Sequence, residues 1–173
     1  MSRIFILAFV LFATLFAVNA APLALEKRET EFGQCPNVPP TVVTLDVKIT
    51  PDPAVAGGDE TFDVKGTMQI DVVTGDQMVF AFIDLVAKQL LEDPLIVDIC
   101  SLPGVTCPIK AGTVFSTTQK YTAPSQLPDS YAIGVGIGSG QPEFVPLGCA
   151  IAFVGGNDLS AVSSADLEVW NFL

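Results

Sequence analysis

The chain has 173 residues, half of them hydrophobic and only 16% charged, which fits one folded domain and is too apolar for a disordered protein. It carries 19 Asp and Glu residues against 8 Lys and Arg, a net charge of −11, so binding of nucleic acid through a basic patch is excluded. Histidine is absent, which excludes Ser-His-Asp triads, Cys-His dyads and His-ligated metals.

Residues 1–20 have the pattern of a secretory signal peptide. Arg3 supplies the positive charge, an apolar run extends from Ile4 to Val18, and the small-x-small ending predicts cleavage near Ala20. The alternative is a membrane anchor, but the run of about fifteen residues is shorter than the roughly 20 that span a bilayer. We expect a secreted or lumenal protein.

A second processing signal follows in residues 21–28. Lys27-Arg28 is a dibasic site of the kind cut by kexin-like proteases, and the alternative is a chance basic pair in a flexible leader. These signals predict a signal peptide at 1–20, a short pro-segment at 21–28, a domain at 29–154 and a C-terminal tail at 155–173.

All four cysteines, Cys35, Cys100, Cys107 and Cys149, follow the predicted leader. An even number in an oxidising compartment predicts two disulfides, for which three pairings exist. The Pro-Gly turn between Cys100 and Cys107 favours a local link, which would leave Cys35 with Cys149, but spacing decides this only in part. A four-thiolate zinc site is the alternative, although no C-x₂-C spacing occurs.

The body of the chain contains short segments rich in Val, Ile, Thr and Phe, separated by Pro, Gly and Asp, which predict a β-sandwich of about seven strands. The strands are expected at 42–50, 60–71, 78–90, 94–99, 112–121, 130–138 and 146–154. The nearly continuous apolar run at 78–91 is also compatible with a helix.

Two of these segments alternate with a period of two. In 60–71 the residues Phe62, Val64, Gly66, Met68 and Ile70 share one face, which predicts a half-buried strand. In 131–138 large apolar residues alternate with Ala132, Gly134, Gly136 and Gly138, which indicates a smooth second face against which another segment lies. A phosphate-binding loop is a weak alternative, since no helix follows.

Over about residues 35–154 the sequence resembles the ML lipid-recognition family. It is most similar to fungal phosphatidylglycerol/phosphatidylinositol transfer proteins, relatives of the Niemann-Pick type C sterol carrier. The residues that carry the resemblance are Cys35-Pro36, Val-Lys-Ile-Thr-Pro at 47–51, Asp-Ile-Cys at 98–100, Cys-Pro-Ile-Lys-Ala-Gly at 107–112, Tyr121, Leu-Pro-Asp-Ser-Tyr-Ala-Ile at 127–133, and Cys149.

The resemblance implies an immunoglobulin-like sandwich that holds a lipid between two sheets. It also implies the pairings Cys35–Cys149 and Cys100–Cys107. The chain departs from the sterol carriers in lacking a third disulfide, and Gly-Ser-Gly-Gln-Pro follows Ile137 where they have a charged hairpin. The resemblance does not choose among sterols, phospholipids and glycolipids.

Apolar side chains on the inner faces are the candidates for the wall of a lipid cavity, with ordinary core packing as the alternative for each. Pro108 and Ile109 also match the family's position at the cavity edge. The candidate lipid-binding residues are Phe62, Val64, Met68, Phe80, Phe82, Val97, Pro108, Ile109, Phe115, Tyr121, Tyr131, Ile133, Val135 and Phe144.

The acidic residues Asp59, Glu60, Asp63 and Asp71 could form an acid–base pair or a Ca²⁺ site, but no D-x-D-x-D-G run is present. We expect a solvated surface.

In the tail, Gly155-Gly156 resembles a hinge. The residues after a weak capping box at 163–166 could form an amphipathic segment that covers a cavity mouth or touches a membrane; a frayed terminus is the alternative.

The sequence therefore predicts a protein that is secreted or lies in the vacuolar or lysosomal lumen. It would not be an enzyme, and it would bind one lipid, phosphatidylglycerol, phosphatidylinositol or a sterol, and transfer it between membranes. It would need no cofactor and no metal, contact membranes transiently, bind no nucleic acid and act as a monomer. The alternative is an extracellular interaction protein or effector that sequesters lipid without transferring it.

Overall fold

The computed structural model describes residues 29–139 and 144–155, which form ten β-strands and one short 3₁₀ turn at Ile99–Ser101. In chain order the strands are β1 (Phe32–Gly33), β2 (Val43–Thr44), β3 (Asp46–Thr50), β4 (Asp59–Thr67), β5 (Gln77–Asp84), β6 (Gln89–Leu90), β7 (Leu95–Asp98), β8 (Val114–Thr122), β9 (Tyr131–Ser139) and β10 (Val145–Val154).

The strands form two sheets. The larger has seven strands in the order β1-β10-β9-β5-β6, with β2 also beside β10 and β7 also beside β5, and the smaller has the order β3-β4-β8. All pairings are antiparallel except that of β2 with β10. The predicted immunoglobulin-like sandwich of about seven strands is confirmed, since seven strands have four or more residues and the others have two.

Strand β4 follows the predicted alternation but is shorter than predicted. Phe62 and Val64 are buried whereas Asp63 and Lys65 are exposed. The strand ends at Thr67, and Ile70 is 48% exposed, so its expected place on the buried face is wrong. Beyond Thr67 the chain leaves the sheet, so the period of two no longer decides which side chains point inward.

The apolar run at 78–91 contains most of β5, a turn and the two-residue strand β6, and the helical alternative is wrong. Strand β5 is buried over six consecutive residues, Met78 to Ile83. Alternate side chains of β5 pack in two different clusters: Phe80 and Phe82 lie in the main core between the sheets, while Ile83 packs with Cys35 and Val42 in a second cluster. Burial on both faces explains the lack of polar alternation.

The second cluster confirms the smooth outer face predicted for β9. Ala132, which faces away from the main core, packs with Val42 and with the disulfide-bonded Cys35 and Cys149. The segment that precedes β2 therefore covers part of this face, and the Cys35–Cys149 bond fixes it to β10.

The second disulfide joins Cys100 to Cys107, so both implied pairings are confirmed and the zinc alternative is wrong. The predicted signal peptide (1–20), pro-segment (21–28) and tail segment beyond Gly155 lie outside the described residues.

Candidate functional site

The space between the two sheets is the apolar interior that the sequence predicts. Twelve of the fourteen candidate residues belong to one cluster there. Ten are buried: Phe62, Val64, Met68, Phe80, Phe82, Ile109, Phe115, Tyr131, Ile133 and Val135. Val97 and Tyr121 are partly buried against it. Whether these residues contact a lipid stays a prediction.

Two candidates lie elsewhere. Pro108 is exposed, although its neighbour Ile109 is buried and pairs with Val72 across an isolated bridge. The ring of Phe144 lies against Gly138, where a Cβ would come within 2.5 Å of it. Because the neighbouring Ile137 points into the main core, Gly138 faces away from it. Phe144 therefore covers the outer face of β9 and does not line the interior.

Aromatic rings connect the two sheets across the interior. Phe62 on β4 and Phe80 on β5 meet at an interplanar angle of 62°, with centroids 5.1 Å apart. Phe82 on β5 approaches Tyr121 on β8 with centroids 5.7 Å apart, and it lies 6.2 Å from the ring of Tyr131. Such ring pairs add to the stability that burial gives the interior.

No strand of one sheet pairs with a strand of the other in the part of the chain that the structure describes. The disulfides do not link them strand to strand either, since Cys35 and Cys107 lie in loops. The layers are thus held mainly by apolar side chains. At one edge the chain also joins them, because Leu45 alone connects β2 in the larger sheet to β3 in the smaller, and its N–H donates to the Cys149 carbonyl.

Glu60 corrects the expectation that the acidic cluster is a solvated surface. Asp59 and Asp63 are exposed, and Asp71 lies at the surface where its Oδ2 atom is 2.7 Å from Lys110 Nζ. Glu60 is completely buried, because it precedes Phe62 by two residues and shares its inward face. The alternation along β4 indicates that Glu60 is buried, since it has the same parity as Phe62 and Val64. The general preference of carboxylates for water indicates the opposite.

The Glu60 carboxyl has one partner. Its Oε1 atom accepts a hydrogen bond from the Val55 backbone N–H at 2.7 Å, whereas Oε2 is buried without a partner. Burial raises the pKa of this carboxyl above its ordinary value of 4.5, against the lowering effect of the Val55 hydrogen bond, and the nearby Asp52 charge raises it further.

Two tyrosines accompany Glu60 at this end of the interior. Tyr121 is its register partner on β8, and the Tyr121 hydroxyl donates a hydrogen bond to the Asp93 carbonyl at 3.0 Å. Burial raises the pKa of Tyr131, and the charges of Glu60 and Asp52 raise it further. One end of the apolar interior thus contains the buried side chains of Glu60 and Tyr131, with the ring of Tyr121 beside Phe82 and its hydroxyl directed to Asp93.

The loop that joins β3 to β4 closes this end. Asp52 accepts hydrogen bonds from the backbone N–H and the hydroxyl of Thr30, at 2.8 and 2.6 Å. Gly57 N–H donates to the Pro124 carbonyl, and Ala123 N–H donates to the Gly58 carbonyl. These bonds place Val55 over Glu60.

Over residues 29–139 and 144–155, no group of three or more His, Cys, Asp or Glu side chains is placed to hold a metal ion. Within the same ranges, no helix is both long and apolar enough to cross a membrane.

A family model described as the ML domain matches residues 29–150 of this chain, well over half of its length. The chain belongs to the ML-domain family. Lipid binding is the general function that this membership supports. The match spans both sheets, ending inside β10, and therefore includes the complete set of inner-face residues described above.

Among solved structures, this ML domain is similar to a Niemann-Pick type C2 protein from the Japanese carpenter ant. The two chains are 19% identical, with a TM-score of 0.46, and the match covers 65% of this chain and 91% of the ant protein. A search of the curated proteins finds no match to this chain.

Proposed function

We propose that this ML domain holds one lipid between its two sheets and transfers it between membranes. The observation that carries the proposal is the apolar, aromatic interior between two layers that share no paired strand among the described residues. A lipid tail that entered this space would leave water at a gain of about 25 cal/mol per Å² of apolar surface. The ring pairs across the interior, such as Phe62 with Phe80, would have to separate to admit it.

The lipid would be a sterol or a phospholipid such as phosphatidylglycerol or phosphatidylinositol. The interior is lined mainly by hydrocarbon and aromatic side chains, which suits acyl chains and sterol rings equally. No enzymatic step is proposed, since the chain has no histidine and its function as a carrier needs no covalent chemistry. The two disulfides and the predicted leader support a secreted or lumenal location.

Membrane contact would occur at the end of the sandwich that contains Glu60. Val55 and Val86 are 51% and 81% exposed. Val55 lies in the loop over Glu60, and Val86 lies in the turn after Asp84, which is the register partner of Tyr131. Two exposed valines therefore lie at this end of the sandwich, Val55 in a loop of the smaller sheet and Val86 in a turn of the larger sheet.

Native mass spectrometry of the full chain purified from a secreting host tests the proposal, followed by lipid extraction. We expect one lipid per protein, and we expect the protein to accelerate transfer of a labelled sterol or phosphatidylglycerol from donor to acceptor vesicles. A protein that carries no lipid and takes none from vesicles would contradict the proposal. Binding without transfer would instead favour a lipid-sequestering protein.

A further inference from the structure

Glu60 Oε2 is the one buried side-chain nitrogen or oxygen among the described residues that has no hydrogen-bond partner. Buried polar atoms in folded proteins are almost always paired, so an unpaired one calls for an explanation. The other carboxyl oxygen accepts a hydrogen bond from Val55 N–H at 2.7 Å, so Oε2 is the oxygen of this group that has no partner.

Glu60 is the first inward-facing residue of β4 and is completely buried, so it lies at the end of the inward row that continues with Phe62. Phe62, the next inward residue of β4, is completely buried and contacts the ring of Phe80 on the opposite sheet. The titratable groups whose charges couple to Glu60 are the carboxylate of Asp52 and the phenol of Tyr131, while the Tyr121 hydroxyl bonds the Asp93 carbonyl. None of these is a cation, and every lysine from Lys48 to Lys120 is exposed.

We propose that Glu60 Oε2 binds the hydroxyl group of a lipid alcohol whose hydrocarbon part occupies the space between the sheets. This inference rests on the proposed function and narrows its ligand to lipids that have an uncharged hydroxyl near the buried hydrocarbon.

The choice of an alcohol follows from the bonding capacity of a carboxyl group. Ionised, Oε2 only accepts hydrogen bonds; protonated, it donates one, because Oε1 is kept as the acceptor for Val55. A hydroxyl both donates and accepts, so it satisfies Oε2 in either state. An ammonium group fits only the ionised state. A phosphate or carboxylate fits only the protonated state, and it would also face the negative charge of Asp52.

The test measures binding of single-chain probes of equal length to the purified full chain after lipid removal. The probes are 1-octadecanol, its methyl ether, octadecylamine and octadecanoic acid, each measured at pH 5 and pH 8 by displacement of an apolar fluorescent dye. The ether retains the oxygen acceptor but cannot donate, so the ratio of alcohol to ether affinity reports the hydrogen bond to Oε2.

We expect the wild type to bind the alcohol at least about tenfold more tightly than the ether at pH 8, because the ether cannot donate a hydrogen bond to Oε2. Glu60→Leu should bind both probes equally. Glu60→Gln should also lose most of the preference, because its amide oxygen takes the place of Oε1 beside Val55 N–H and its amide NH2 donates to the alcohol and the ether alike. Glu31→Gln is the matched control, since Glu31 is exposed. It should behave like the wild type.

A wild type that binds all four probes without preferring the alcohol would overturn this inference and leave the carrier function intact. Tighter binding of octadecylamine than of 1-octadecanol at pH 8 would overturn the inference as well. So would a preference for the alcohol over the ether that survives in Glu60→Leu. Failure to bind any octadecyl probe would contradict the carrier function itself. The ratio of alcohol to ether affinity of the wild type tests the inference even where a Glu60 variant does not fold.

Discussion

The rings of Phe62 and Phe80 meet edge to face with centroids 5.1 Å apart, although Phe62 belongs to the three-stranded sheet and Phe80 to the seven-stranded sheet. Both side chains are completely buried. This contact joins two layers that have no strand pairing between them, so it contributes to the stability of the lipid-free sandwich. It also occupies the space that the proposed function assigns to a lipid.

Replacing one of these rings separates its two roles. We expect Phe80→Ala to lower the free energy of unfolding of the lipid-free protein by about 3–5 kcal/mol, because the large-to-small change leaves a cavity. Added lipid should recover part of this loss by filling the cavity. Urea denaturation with and without lipid measures both effects. Val114→Ala, at a side chain 69% exposed, is the control and should change stability by less than about 0.5 kcal/mol.

Recovery by lipid distinguishes a binding space from an ordinary core. If lipid stabilised the wild type and Phe80→Ala to the same extent, the lipid would not occupy the space next to this ring.

The buried carboxyl of Glu60 predicts a specific pH dependence of stability. Burial raises its pKa above the ordinary value of 4.5, so the native state prefers the protonated form. The contribution of Glu60 is therefore fully present below pH 4.5 and is lost as the pH rises through the raised pKa. We expect the free energy of unfolding of the wild type to fall, relative to Glu60→Gln, from pH 4 upward.

The comparison with Glu60→Gln isolates this group, because the other carboxylates are common to both proteins. Urea denaturation at half-unit steps from pH 4 to pH 8 gives the difference curve. A flat difference over this range would show that Glu60 has the same pKa in the folded and unfolded states.

Much of the fold follows from alternation in the sequence. Each wrong prediction about a side chain has its own physical reason. The inward set of β9, such as Ile133 and Val135, and the Cys100–Cys107 link follow from period and turn chemistry, which are local properties. The Cys35–Cys149 pairing spans 114 residues and follows from the family resemblance instead. The prediction that Ile70 lies on the buried face is wrong because a period of two does not show where a strand ends. Phe144 was assigned to the interior because apolar character does not identify a face when the larger sheet is covered on both sides. The prediction that Glu60 is exposed is wrong because it follows the preference of carboxylates for water. The alternation along β4 places Glu60 on the buried face.

Gly138 tests the position of Phe144 on the outer face. A Cβ at Gly138 would come within 2.5 Å of the Phe144 ring and 2.7 Å of the Val145 carbonyl, so the backbone of β10 would have to shift. We expect Gly138→Ala to lower the free energy of unfolding by about 1–3 kcal/mol, the usual cost of overpacking. Gly33→Ala is the matched control, since no atom lies within 4 Å of its Cβ. Equal stability of the two variants would show that neither the Phe144 ring nor the Val145 carbonyl lies against Gly138.

Val86 tests where the protein meets a membrane. Its side chain is 81% exposed in the turn between β5 and β6, at the end of the sandwich that contains Glu60. A charged residue there would oppose entry into the headgroup region, so we expect Val86→Asp to slow lipid transfer between vesicles at least about threefold while leaving lipid affinity in solution unchanged. The matched control is Val114→Asp, because Val114 begins β8 at the opposite end and is 69% exposed. Equal slowing in both variants would indicate a general effect of charge, and slowing by Val114→Asp alone would place the membrane contact at the other end.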